Sequence, residues 1–196
     1  MTWYYVTLTL KRVATPHQAL AAHLRGLPDE IVGQFAPQLG WANNEAAVLM
    51  RRREGAPVEA VTLGAPELIA SAKVERLMPT VRPAGDATPK PGGIYVLRWF
   101  EVDDGAAEEF VDLSGQGWQR FEAQFDTNIF GLFRAAPSAT DAEAGVVRLL
   151  LLTRYADHGV WEASRDPTTE AMQIFARRAQ LTRRSWAAST LLVAPR

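Results

Sequence analysis

The sequence predicts an α+β protein in which one βαββαβ unit is written twice in tandem, the two antiparallel sheets packed face to face as an α/β barrel. Three observations carry this expectation. The segment Arg82-Pro83-Ala84-Gly85-Asp86-Ala87-Thr88-Pro89-Lys90-Pro91-Gly92-Gly93 holds three prolines and three glycines in twelve residues, too many for a helix or an inner strand. The stretches on either side follow the same order of apolar patterns and share short echoes. Ile31-Val32-Gly33-Gln34-Phe35 answers Ile129-Phe130-Gly131-Leu132-Phe133, Tyr5-Val6 answers Tyr95-Val96, and Thr80-Val81-Arg82-Pro83 resembles Leu192-Val193-Ala194-Pro195. Finally, Val146-Val147-Arg148-Leu149-Leu150-Leu151-Leu152 does not alternate apolar with polar, which implies a strand covered on both faces. Helices can cover one face, and the sister sheet, about 10 Å away, the other. The expected organisation is residues 1–83, a linker over 84–92, and residues 93–196.

In the first half, Trp3 to Lys11 is rich in β-branched and aromatic residues and reads as a strand. Thr15 is placed as the N-cap of a helix with Pro16 at its first position, and Gly26 closes it. Strands follow at Ile31 to Pro37 and Ala46 to Arg53, joined by a turn over Gly40 to Asn44. A weak helix broken by Gly64 and Pro66 leads into a last strand, Val74 to Arg82.

The second half carries stronger signals. Gly93 to Val102 reads as a strand, and Asp103 or Asp104 as the cap of a helix from Gly105 to about Gln124. Phe110, Leu113, Gly117 and Phe121 form one stripe of that helix, with Val111, Trp118 and Phe125 beside it. Asn128 to Arg134 and Val146 to Tyr155 read as strands. A long helix is expected from Thr168 to about Ser189, its inner face marked by Met172, Phe175, Ala179, Thr182 and Trp186, before a closing strand at Thr190 to Ala194.

Composition bounds the function. The chain has 196 residues, 47% of them hydrophobic and 22% charged, the pattern of an ordinary globular protein. Twenty-one basic against twenty-two acidic residues remove the electrostatic footprint of a nucleic-acid binder and give no reason to expect attachment to an acidic membrane. No stretch approaches the roughly 18 apolar residues of a membrane span. The opening residues read as a strand, not as a signal peptide. The absence of cysteine excludes disulfides and thiolate chemistry; a cytoplasmic location follows by elimination.

Residues 93–196 resemble the NIPSNAP family of the dimeric α/β-barrel superfamily, with a fainter echo over 1–83. The residues that carry the resemblance are Ile94-Tyr95-Val96-Leu97-Arg98-Trp99-Phe100, the Asp104-Gly105 turn, Gly131 and Phe133, the Leu-rich strand ending in Tyr155, and then Trp161, Arg165 and Asp166-Pro167. The resemblance implies ferredoxin-like halves that pair across a barrel, here within one chain, so that dimerisation is not required and higher assembly stays open. It implies little about activity, since the superfamily spans heme-degrading and quinol monooxygenases, isomerases and binding proteins. The first half departs from the pattern: Leu8 stands where Arg98 stands, and Arg53 where Tyr155 stands.

No phosphate loop, nucleophile elbow or metal-spaced cluster occurs, and no cofactor or metal is expected. Gly115 and Gly117 read as small residues at a helix crossing. His17 and His23 read as surface or partly packed; nothing beside His23 argues for an axial heme ligand. His158 is the candidate proton-transfer group, with Tyr155, Asp157 and Trp161 nearby; the plainer reading is a solvated loop residue. Arg98, mid-strand among apolar neighbours, needs a partner: Glu101, Glu122 or a carbonyl in the structural reading, an anionic or carbonyl-bearing ligand at the barrel mouth in the functional one. The catalytic candidates are thus His158, Tyr155 and Arg98. Tyr95, Trp99, Trp118, Phe133, Trp161 and Arg165, with Phe121, are the candidate ligand contacts, equally readable as core. Arg177, Arg178, Arg183 and Arg184 read as a solvated face. The expected function is binding of a small apolar or aromatic molecule in the barrel. The alternatives are a cofactor-free monooxygenase or isomerase acting on an aromatic or lipid-like metabolite, and a structural protein with no pocket.

Overall fold

The structure, a computed structural model, describes residues 2–27, 30–52 and 63–193. Its elements are β1 (Thr2–Leu10), α1 (Pro16–Leu24), β2 (Glu30–Leu39), β3 (Glu45–Arg52), β4 (Ile69–Pro79), β5 (Ile94–Asp103), α2 (Ala107–Gln124), β6 (Thr127–Ala135), α3 (Ala139–Ala144), β7 (Val146–Tyr155), α4 (His158–Ala163), α5 (Glu170–Gln180) and β8 (Thr182–Val193). Arg53, most of the weak helix expected before β4, and Ala194 and Pro195 of the last echo lie outside the described residues.

The eight strands pair antiparallel into one closed barrel in the order β1-β3-β2-β8-β5-β7-β6-β4. Within it the first four strands run β4-β1-β3-β2 and the last four β8-β5-β7-β6, the same order. Two seams join them. Gln34 to Leu39 of β2 pair with Val193 to Ser189 of β8, and Leu77 to Pro79 of β4 with Ala135 to Phe133 of β6. Both Gly-x-Phe echoes carry the same irregularity: the register against the next strand shifts between Ile31 and Gly33 in β2, and between Ile129 and Gly131 in β6. A bulge of this kind bends a strand, as a sheet curling into a barrel requires.

Closure explains the unalternating run of β7. Leu150 and Leu152 face the barrel interior with Trp3, Tyr5, Phe35, Tyr95, Leu97 and Phe133, while Leu149 and Leu151 face outward beneath the helices. Charged groups sit toward both ends of the interior. Arg148 pairs with Glu75 and Asp141 and stacks on Trp99. Arg51 pairs with Glu30 and stacks on Trp3. Outside, α1 lays Leu20 and Leu24 on Val6, Leu8, Val48 and Met50 of the first half. Helices α2 and α5 cover the second half through Phe110, Trp118, Phe121 and Phe175. Gly117 of α2 allows their close approach: a Cβ there would lie 2.4 Å from Cε1 of Phe175. Among the described residues no helix is long and apolar enough to cross a membrane.

Several local expectations are corrected. The long helix stops at Gln180, and residues from Thr182 onward form a twelve-residue strand. The apolar spacing is compatible with either structure, but β8 must bond to β5 along Glu101 to Tyr95 and to β2 at the seam. Its backbone donors and acceptors are satisfied by neighbouring strands rather than by a helix. Thr15 precedes Pro16 as expected but adopts φ 48° and makes no side-chain cap. Neither Asp103 nor Asp104 caps α2: Asp103 ends β5 and binds Arg183, and a 3-10 turn over Asp104–Ala106 leads into the helix. Two short helices, α3 and α4, had no counterpart in the expected plan.

Candidate functional site

Strand alternation puts Val96, Arg98 and Phe100 of β5 on the outer face and Tyr95, Leu97 and Trp99 inside. Beneath α2 and α5, and flanked by α4, that outer face forms the floor of a cavity of about 440 Å³. Ile129, Leu151 and Thr153 complete the floor. Trp118, Phe121, Met172 and Phe175 form the roof, and Tyr155, Trp161 and Arg165 one wall. The cavity therefore lies between sheet and helices. This corrects the expected position inside the barrel, where aromatic and aliphatic side chains pack at 0–7% exposure.

Five arginines line this space, Arg98, Arg165, Arg178, Arg183 and Arg184, with no carboxylate, lysine or histidine among the described lining residues. Arg98 is flanked across the sheet by Leu151 and Ala187. Its one polar contact among the described residues is a long 3.5 Å hydrogen bond to Ser185 Oγ. The structural partners expected for it are otherwise occupied or absent: Glu122 accepts from Arg82 and from the Ile129 amide, and no ion pair joins Arg98 to Glu101. Burial first, and then the like charge of Arg165, lower the basicity of Arg98 against a partial offset from Tyr155.

Arg178, read from sequence as solvated, reaches back under the helix. Its guanidinium carbon is 4.4 Å from the centroid of Phe175, 5.2 Å from Phe100 and 5.3 Å from Phe110, and Nη1 donates to Ser114 Oγ at 3.3 Å. Burial, then the charge of Arg98, hold it down to about 10, which still leaves it protonated near neutral pH. Tyr155 is buried between Phe121 and Trp161, with ring centroids 6.2 and 6.3 Å away. Burial pushes its phenol up, and the nearby Arg98 offsets this only in part.

Of the residues expected to form a site, Arg98, Tyr155, Trp118, Trp161 and Arg165 line one cavity, as does Phe121. Tyr95, Trp99 and Phe133 lie on the far side of the sheet: Tyr95 packs on Phe35, Trp99 on Tyr5 and Trp186, and Phe133 on Trp3. His158 does not line the cavity. It opens α4 with its ring 6.1 Å from Trp161 and Nε2 2.9 Å from Ser189 Oγ. Ser189 Oγ also bonds to Gln38 Oε1 at 3.1 Å. His17 and His23 are engaged in the first half by the carbonyls of Asn43 and Leu63. Among the described residues no cluster could hold a metal. The sequence reading missed Arg178, Phe175 and Met172 as site residues. Their signal was present, because Arg178 follows Phe175 by three positions and so shares its helix face.

No family model matches this chain, and no curated protein matches it. Solved structures match along nearly its whole length. A candidate monooxygenase from Lactobacillus acidophilus NCFM is 13% identical over 97% of this chain and 93% of its own, with a TM-score of 0.61. An anthrone oxidase-like protein is 15% identical over 98% and 92%, TM-score 0.63. A candidate monooxygenase from Fusobacterium nucleatum is 8% identical over 98% and 92%, TM-score 0.63. At such identities the likeness is one of fold. The chain has the dimeric α+β barrel fold, with ferredoxin-like strand order in each set of four strands and the barrel closed within one chain.

Proposed function

We propose that this protein binds a small, largely aromatic or apolar molecule in the helix-roofed cavity of its second half. The observation that carries this reading is the cavity itself: about 440 Å³, with a largely aliphatic floor and an aromatic roof and wall around five arginines and several hydroxyls, a concave site that pairs apolar surface with convergent polar groups. Arg98, Tyr155, Trp118, Trp161 and Arg165 are its proposed contacts, joined by Phe175 and Arg178. His158 acts from behind, fixing the ring of Trp161 through its bond to Ser189. The two sets of strands are read as a tandem duplication, supported by the shared bulge at Gly33 and Gly131. In this reading residues 93–196 are a NIPSNAP-like half that keeps the site, and residues 1–83 complete the barrel without lining the cavity.

A second reading, cofactor-free oxygenation, draws support from the fold neighbours described as monooxygenases and as anthrone oxidase-like. An activated methylene would react with dioxygen to give a carbonyl and water, the cationic cavity stabilising the substrate's carbanion. Isomerisation by internal proton transfer is less well supported. Both reactions require a substrate acidic enough to arrive ionised, because the described lining offers no carboxylate or imidazole to take its proton.

Calorimetric titration with a flat bicyclic such as 1-naphthamide tests the binding reading. Saturable binding in the micromolar to millimolar range is expected, lost in a Ser164→Trp variant that fills the cavity beside Trp161. Equal binding by that variant would overturn the assignment. Oxygen uptake with an anthrone, against a protein-free control, tests the second reading.

A further inference from the structure

The cavity's charge is one-sided, which a pocket for neutral molecules does not require. Other arginines are neutralised: Arg82 by Glu122, Arg148 by Glu75 and Asp141, Arg154 by Asp126 and, on the cavity's own rim, Arg183 by Asp103. The acid-free wall around Arg98 and Arg178 therefore stands out against the chain's own habit. Among the described residues each of the two finds only a serine hydroxyl and, for Arg178, aromatic faces. Two partly buried cations that repel each other are relieved when an anion joins them.

We propose that the natural ligand is an aromatic oxyanion, a carboxylate or an ionised enol or phenol on a flat apolar body. Its oxygens sit between the guanidiniums of Arg98 and Arg178 with the Tyr155 hydroxyl donating alongside, and its body lies under Trp118, Phe121 and Phe175. A planar delocalised oxyanion suits two forked guanidinium donors, and Arg165 at the edge adds attraction on entry. This assignment rests on the reading of the cavity as a ligand site and sharpens it to a substrate class.

The experiment compares 1-naphthoate with 1-naphthamide, which share body and shape and differ in charge, by calorimetric titration of the full chain. The wild type is expected to bind naphthoate at least about tenfold more tightly, the scale of one charge-assisted hydrogen bond. Arg98→Met and Arg178→Met, both on the cavity lining, are each expected to erase most of that preference, read as the ratio of the two affinities within each variant. Equal affinities in the wild type, or a preference that survives both substitutions, would overturn the oxyanion assignment and leave the ligand site standing. Binding of neither probe would remove both readings. The wild-type comparison needs no variant to fold, so the outcome is decided even if a substitution is not tolerated.

Discussion

Replacing Arg178 with methionine should make the ligand-free protein more stable while weakening its hold on an anion. The guanidinium is held down to about 10 by burial and by Arg98, roughly two and a half decades below a free guanidinium, and 1.36 kcal/mol per decade sets an upper bound of about 3 kcal/mol. Partial exposure of the side chain screens some of this. The variant also forgoes cation–π contacts with Phe175, Phe100 and Phe110, which methionine sulfur replaces only in part. The net expectation is a gain of about 1 kcal/mol, or about 2–4 °C in Tm for a chain of this size. The sign with pH follows from the same group. A depressed arginine destabilises the fold fully below its folded pKa, where both states carry the charge, and progressively less above it, where the folded state sheds the proton. The gap between variant and wild type should therefore narrow only as pH rises above about 10. Differential scanning calorimetry at neutral pH checks the gain, and 1-naphthoate at about a hundred times its wild-type Kd should add about 2.7 kcal/mol to the wild type but only about 1.4 kcal/mol to a variant that binds it about tenfold more weakly, cancelling the variant's lead. A variant that melts several degrees below the wild type without ligand would refute the reasoning, because Arg178 would then be a paired structural group.

Three further outcomes follow from other parts of the fold. Gly117→Ala places a Cβ 2.4 Å from Phe175; overpacking of about 1–3 kcal/mol should outweigh the helix-propensity gain of about 1 kcal/mol, lowering Tm and pushing Phe175 into the cavity, whereas a rise in Tm would show that the helices separate freely. Tyr95→Phe removes the 2.8 Å hydrogen bond to the Lys90 carbonyl on the interior side of the sheet; it should cost about 1 kcal/mol in a denaturant melt and leave naphthoate affinity unchanged. Burial alone would raise the Asp141 carboxyl, but hydrogen bonds from the Ser138 amide and hydroxyl and from Arg148 outweigh it and hold it below its ordinary value of 3.8. Its stabilisation is thus complete above that value and lost as pH falls through the folded one; Asp141→Asn should cost about 1 kcal/mol at pH 7 and flatten the acid limb of the stability curve, and parallel limbs would contradict it.

Strand β7 was legible because Val146–Leu152, apolar at six of seven positions, does not alternate and so reads as a strand covered on both faces. Helix α2 was legible because Phe110, Gly117 and Phe121 repeat at helical spacing and bury together. The start of β8 was not. Thr182 and Trp186 continue the helical spacing of Met172 and Phe175, and only the hydrogen-bonding demand of β5 and β2 draws that stretch out as a strand. For the site, the alternation within Ile94–Asp103 already separated Arg98 from Tyr95 and Trp99. Those aromatics could not share a cavity with it, and grouping them by chemistry rather than by face was the error. Arg178 was hidden by the habit of reading an arginine-rich helix end as solvated, although its position three residues after Phe175 put it on the inner face.

The sequence by itself determined the alphabet of elements, the proline- and glycine-rich break between two similar halves, and the presence of an arginine among apolar neighbours that would need an answer. Those features are local, set by periodicity, by backbone restriction and by the cost of desolvating a charge. Only the tertiary structure decided that the centre of the barrel is packed with side chains and that a cavity opens under the helices. It also brought Arg98 and Arg178, eighty positions apart, to one acid-free cavity. Which side of a sheet is filled depends on how many large side chains closure drives inward, and which charges meet depends on how a helix folds back across a strand. Neither is a property of any one segment.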